Sequence, residues 1–266
     1  MMALQQRPLF SIIITTHLRA ALLDRALRSL RRQTCPDYEI IIVSDVADAD
    51  TMAVASQHLT DKDTFVKRSG RPGPAESRNL GVSMARGEWV IFLDDDDSFG
   101  PGHLERIKEE LGDGRRSVLY SDCQVIMEDR TTPVPTPLSQ REVDIATQDV
   151  SAVWVKNFIP LHCLVYRRSA MQGSAFDANL GSLEDWDFLL SICSRETPSY
   201  FSGGEAMIHQ DYLDREGHRG HVGSNSSVLL DYIYIYHKWQ APGEELKEKR
   251  RDFLRNVGVD FGNHFF

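Results

Sequence analysis

Asp94, Asp95, Asp96 and Asp97 stand in an unbroken row directly behind the apolar run Trp89-Val-Ile-Phe-Leu93. Packing four like charges side by side gains a fold no stability, so the row calls for another reason. A strand that delivers its last residues into a cleft can aim two or three of these carboxylates at one divalent cation, and oxygen donors of this kind suit Mg²⁺ or Mn²⁺. An EF-hand calcium loop is excluded: it needs Gly at its sixth position, and the sixth residue counted from Asp94 is Phe99. A second acidic pair, Glu184-Asp185, precedes Trp186, Leu189 and Leu190, which share a helical face. At such a helix start the dipole favours carboxylates in any case, so capping is the plain reading of that pair.

The elements that must position these acids follow from apolar spacing. Phe10 to Thr15 is a β-branched run that fits a strand buried on both faces, and residues 21–34 follow with helical spacing at Leu22, Leu23, Leu27 and Leu30. Pro36-Asp37 punctuates, and Tyr38 to Val43 gives a second apolar strand ending at Ser44-Asp45, so the first unit reads βαβ with parallel pairing. A weak helix over 51–59, a short strand over 65–67 and a helix over 75–86 closed by Gly87 lead to the strand that carries the acid row. Alternating strands and helices predict an α/β fold with a mostly parallel central sheet flanked by helices, and such sheets bind ligands at the carboxyl ends of their strands. Thr16, Asp45 and Asp94 to Asp97 all stand at such ends.

Several familiar phosphate and nucleophile sites are absent. The turn after the first strand, Thr15-Thr16-His17-Leu18-Arg19, contains no glycine, which removes the dinucleotide-binding turn, and neither a P-loop nor a Gly-x-Ser-x-Gly elbow occurs. A formal net charge of −9 over 266 residues argues against a nucleic-acid surface and for a small anionic partner held through a metal. Cys35, Cys123, Cys163 and Cys193 match neither zinc nor Cys-x-x-Cys spacing, the pattern of reduced thiols in a cytoplasmic protein. No run is long and apolar enough to span a bilayer.

Five segments, in order, carry a family resemblance: Phe10-Ser-Ile-Ile-Ile-Thr-Thr-His-Leu-Arg19, Gln33-Thr-Cys-Pro-Asp-Tyr-Glu-Ile-Ile-Ile-Val-Ser-Asp45, Ser77-Arg-Asn-Leu-Gly81, Ala85-Arg-Gly-Glu-Trp-Val-Ile-Phe-Leu-Asp-Asp-Asp-Asp97 and Glu184-Asp-Trp-Asp187. Together they resemble the family 2 inverting glycosyltransferases of the GT-A fold. The resemblance implies one GT-A domain over 1–266, with a Rossmann-like nucleotide-sugar and metal half over about 8–125, an acceptor half over about 126–230 and a C-terminal helical segment over about 231–266. It implies that Thr16 and Asp45 line the nucleobase and ribose pocket, although the family's Asp-Asp-Gly-Ser is here Ser44-Asp45-Val46-Ala47. It places Arg78 against the nucleotide, Asp96 and Asp94 on a Mn²⁺ or Mg²⁺ ion, and Asp94 and Asp95 near the donor. It makes Asp185 the catalytic base, with Glu184 as its neighbour or alternative, and matches His221 to a late loop residue that closes over the diphosphate.

The activity so implied is inverting transfer of a sugar from a nucleoside diphosphate sugar, expected to be UDP-linked, to a carbohydrate or lipid-linked glycan acceptor in bacterial surface-glycan assembly. One carboxylate suffices as base for such a displacement. Two other readings stand beside it: a sugar-nucleotide pyrophosphorylase, for which His17-Leu18-Arg19 lacks the Gly-rich basic loop, and a non-catalytic nucleotide-sugar-binding module. His162 before a strand reads as structural, and residues 129–140, rich in Pro, read as a surface loop. The charged segment 244–255 reads as a solvated helix, with its basic half and Phe253-Leu254 as the one feature suited to peripheral contact at the inner face of a membrane.

Overall fold

A computed structural model describes residues 7–260, apart from 47, 113, 115, 133 and 214–225. Among the described residues nine strands form one sheet: β1 (Phe10–Thr16), β2 (Tyr38–Ser44), β3 (Thr64–Lys67), β4 (Trp89–Asp94), β5 (Ser98–Phe99), β6 (Val118–Asp129), β7 (Thr136–Val143), β8 (Leu164–Arg167) and β9 (Ser199–Asp211). Their order is β3-β2-β1-β4-β8-β6-β9-β5, with β7 beside β6. The first four, β3-β2-β1-β4, are all parallel, which is the expected Rossmann-like half. Beyond them the sheet is mixed, because β8 runs antiparallel to both β4 and β6 while β9 runs parallel to β6.

The β-branched cores of β1 and β2 are buried on both faces by helices, as parallel strands require. Helix α1 (Ala20–Arg31) buries Leu23, Ala26, Leu27 and Leu30, the i, i+3, i+4, i+7 stripe of one helical face. Helix α2 (Ala49–His58) is N-capped by Asp48, whose carboxylate accepts the amides of Asp50 and Thr51. Helix α3 (Pro74–Met84) begins on a proline in its first turn and lies close on β1 through Gly81, where a Cβ would meet Ile13 Cγ2 at 2.5 Å.

Two sequence expectations are corrected here. Gly87 does not close α3, which ends at Met84 with Ala85 already extended; it is a close-approach residue, since a Cβ there would meet the Ser11 amide nitrogen at 2.6 Å. The stretch expected as a loop over 129–140 instead holds the end of β6 and most of β7, paired antiparallel with Asp129 opposite Thr136. Proline is accommodated because β7 is an exposed strand and the ladder is irregular at Met127/Glu128, beside Pro137.

Helix α4 (His103–Glu110) follows β5, and α5 (Glu184–Cys193), α6 (Ser226–Lys238) and α7 (Glu244–Asn256) complete the fold. Phe176 stacks on Phe188 of α5 at 4.1 Å and meets Phe92 of β4 edge-on at 5.1 Å, so an aromatic wedge sets α5 against the strand that carries the acid row. On α7, Leu254 is buried and Phe253 packs on Tyr232 at 4.8 Å. The two apolar residues expected to offer a membrane contact thus face the core, while Lys249, Arg251 and Arg255 pair with acids of their own helix. No helix among the described residues is long and apolar enough to cross a membrane.

Candidate active site

The acid row sits on a tight turn at the carboxyl end of β4, closed by the Asp97 amide donating to the Asp94 carbonyl at 3.1 Å. The turn fans the four carboxylates in different directions, and each finds its own counter-group. Asp94 accepts from Arg78 Nη2 at 3.0 Å. Asp95 accepts from the Thr16 hydroxyl at 2.8 Å and from Arg19 Nη1 at 3.3 Å. Asp96 Oδ2 lies 3.2 Å from Arg130 Nη1 and 3.8 Å from Arg19 Nη1. Asp97 is fully buried, taking the His209 amide at 2.8 Å and lying 3.3 Å from His162 Nδ1. Like-charge repulsion along the row is thereby eased, although Asp94 and Asp96 still disfavour charge on Asp95. Burial of Asp95 still pushes its carboxyl up to about 6, against the pull of Arg19 and Thr16.

Arg78 joins the two acidic constellations. From buried positions on α3 its guanidinium donates to Asp94 and, through Nη1, to Glu184 Oε1 at 2.6 Å, and it lies over the Phe176 ring at 5.5 Å. Burial acts against its charge, but Asp94, Glu184 and Asp185 outweigh burial and hold it firmly protonated. Asp185 stands beside Glu184 in the first turn of α5, its Oδ1 accepting the Trp186 amide at 2.7 Å. Burial and the neighbouring Glu184 push its carboxyl up to about 6, with Arg78 opposing them. Leu183, immediately before this pair, holds a left-handed φ of 62°, a conformation that branched residues rarely adopt.

The raised Asp185 carboxyl has a consequence for stability. The folded chain holds this proton up to about pH 6, whereas an unfolded Asp releases it near pH ~4. Between the two the native state binds more protons, so this group's contribution to stability falls as pH rises through that window. Asp185→Asn is expected to unfold at a higher denaturant midpoint than the wild type at neutral pH, with the difference vanishing at acid pH. A lower midpoint at neutral pH would show instead that the carboxylate is needed to hold α5.

Asp45, at the end of β2, is tied to His17 Nδ1 at 2.6 Å and to the Gly73 amide at 2.9 Å, which links the turns after β1, β2 and β3. Thr16, Asp45, Arg78, Asp94, Asp95, Asp96, Glu184 and Asp185 are thus gathered at one edge of the sheet, whereas His221 lies outside the described residues. Residues 71–76, together with Ala178, Leu180, Gly181 and Glu184, line a cleft of about 190 Å³ beside this edge.

A further network was not apparent from the motifs. Glu128 of β6, almost fully buried, accepts from Arg25 at 2.7 Å and Arg130 at 2.7 Å and meets His209 Nδ1 at 3.1 Å, while Arg25 Nη2 also donates to the Asp96 carbonyl at 2.5 Å. Burial raises the Glu128 carboxyl, but the two guanidinium groups bring it below its ordinary range. Burial and Arg25 push the His209 imidazole down. A carboxylate embedded in a strand was the signal available, because a buried Glu must be paired.

The donor set suits a divalent ion. Asp94, Asp97 and His162 each present a ligand atom, all within 4.8 Å of one another, whereas Asp96, the other expected ligand, is turned to Arg130 at 3.2 Å. An imidazole ligand would favour Mn²⁺ over Mg²⁺, whereas carboxylates alone suit either ion.

The sequence profile described as glycosyl transferase family 2 matches residues 11–173. An uncharacterized glycosyltransferase of Bacillus subtilis, YwdF, is 30% identical over 242 residues, covering 83% of this chain and 89% of that protein. The fold is shared with S. aureus TarS 1-349 in complex with UDP-GlcNAc, at a TM-score of 0.67 and 18% identity over 96% of this chain and 74% of that one. It is likewise shared with a Pyrobaculum calidifontis mannosyltransferase in complex with GDP-Man and Mn²⁺, at a TM-score of 0.63 and 17% identity over 90% of this chain and 67% of that one. These are GT-A folds.

Proposed function

The chain belongs to glycosyl transferase family 2, and from that membership we propose that it transfers a sugar, with inversion, from a UDP-sugar to a carbohydrate acceptor during glycan assembly. The observation that carries this reading is the Arg78 bridge, which brings the end of β4 and the start of α5 into one site. Neither acidic cluster alone could perform the transfer. A displacement at the anomeric carbon needs a base on one side of the sugar and stabilisation of the departing diphosphate on the other.

In this reading Asp94 and Asp96 would hold a Mn²⁺ or Mg²⁺ ion, which when bound offsets charge on the diphosphate leaving group. Asp185 takes the proton from the acceptor hydroxyl as that oxygen attacks the anomeric carbon. Glu184 is engaged by Arg78 at 2.6 Å, which favours Asp185 over Glu184 as the base. A carboxyl at about 6 is a stronger base than an ordinary Asp and remains ionised near neutral pH. Arg78 fixes both clusters and supplies positive charge on the diphosphate side. The His17–Asp45 pair and Gly73 shape the pocket for the nucleoside.

Thermal-shift measurements over a panel of nucleotides and nucleotide sugars, with and without Mn²⁺, followed by nucleoside diphosphate release on an acceptor panel, test the reading. Stabilisation by UDP-sugars that depends on Mn²⁺, together with acceptor-dependent UDP release, is the expected result. Binding without release on any acceptor would favour the non-catalytic binding module. The rate should also depend on pH in a defined sense: the base must be ionised, so kcat is expected to fall as pH drops through about 6. An acid limb near pH ~4, where an unperturbed Asp titrates, would remove Asp185 from that role.

A further inference from the structure

The proposed base is carried by a turn that α6 holds in place. Asp231 Oδ2 on α6 accepts both the backbone amide of Ser182 at 2.8 Å and its hydroxyl at 3.0 Å. The next residue is Leu183, in its left-handed conformation, and the two after it are Glu184 and Asp185. A branched side chain keeps such a conformation only where its surroundings over-determine it. The other end of the same turn is held from α6 as well, since the Tyr234 hydroxyl donates to Asp177 at 3.0 Å and Lys238 Nζ reaches it at 3.3 Å. Behind the acids, Lys238 Nζ and Trp239 Nε1 each donate to the buried Asp187 at 2.8 Å, and Trp186 lies against Tyr232 at 5.1 Å. The clamped turn also supplies Leu180 and Gly181 to one wall of the cleft. All of these residues lie beyond the 11–173 stretch that the family profile matches.

We propose that Asp231 is a positioning residue for the Glu184–Asp185 pair: by holding Ser182 through two hydrogen bonds it keeps Leu183 left-handed and so sets the orientation of the Asp185 side chain at the start of α5. The proposal rests on the reading of Asp185 as the base. A base must stand within hydrogen-bond reach of the acceptor hydroxyl, and a misplacement of about 1 Å can lower a rate about 10²-fold. In the proposed reading the donor is met by the β4 turn and the pocket around Asp45, to which α6 makes no hydrogen bond among the described residues, and Arg78 keeps its bond to Asp94 at 3.0 Å even if Glu184 shifts.

The test compares Asp231→Ala and Asp231→Asn with the wild type. Asp231→Ala is expected to lower kcat about 10-fold or more while the donor KM and the affinity for free UDP stay close to wild type. Asp231→Asn retains an acceptor oxygen for Ser182 and should recover most of kcat. Amide hydrogen exchange over 182–187 should quicken in Asp231→Ala while β1 and β4 stay protected. Parallel losses of kcat, UDP affinity and sheet protection would overturn the proposal by showing a general structural role, and so would wild-type kcat with wild-type exchange. Should the wild type itself release no UDP, the transferase reading fails and exchange over 182–187 alone decides: faster exchange in Asp231→Ala upholds the clamp, and unchanged exchange overturns it.

Discussion

Asp185→Asn is expected to lower kcat by about 10²-fold or more while leaving the fold and the affinity for the nucleotide sugar close to wild type. The asparagine keeps the shape of the side chain and an oxygen that can accept the Trp186 amide, now received by Asp185 Oδ1 at 2.7 Å. What it loses is basicity, and basicity matters only while an acceptor hydroxyl is being deprotonated. Removing the charge also relieves a carboxylate that burial and Glu184 both disfavour, so the loss of rate should come with unchanged or greater stability. Single-turnover measurement of UDP release, paired with calorimetric titration of the donor, separates the two effects. Transfer at the wild-type rate would reduce Asp185 to a helix-capping acid and pass the role to Glu184, which would then have to leave Arg78.

The second large effect is expected at Asp96. Asp96→Asn should weaken Mn²⁺-dependent UDP binding by about 10²-fold, because replacing a ligand should match or exceed the ~10–100-fold loss typical of residues behind the ligands. His162→Gln should leave that binding nearly intact, since His162 lies in the interior against the fully buried Asp97. The pair of variants decides between two arrangements that share Asp94. If His162→Gln abolishes the Mn²⁺ effect and Asp96→Asn does not, the ion is held by Asp94, Asp97 and His162, whose ligand atoms lie within 4.8 Å of one another. In the expected arrangement Asp96 moves from Arg130, now 3.2 Å away, to the ion, and Arg130 stays anchored by Glu128 at 2.7 Å. Metal-free protein should therefore keep its fold while losing donor affinity.

The sequence alone determined the parallel half of the sheet and the edge at which the site lies. The stretches 12–14, 40–43 and 89–93 are apolar on both faces, as strands covered on both sides are, and their polar ends then meet at one edge. Its motifs also named the acids at 94–97 and 184–185. The tertiary structure alone decided where each carboxylate goes. A turn of four identical side chains carries no local signal that sends Asp94 to Arg78, Asp95 to Thr16, Asp96 to Arg130 and Asp97 into the interior. The hub at Glu128 joins Arg25, more than a hundred residues earlier, to Arg130 and His209, and the clamp on Ser182 comes from Asp231. Hydrogen bonds and ion pairs act over a few ångströms, so their partners are chosen by which elements the packing brings side by side, and spacing along the chain does not encode that choice.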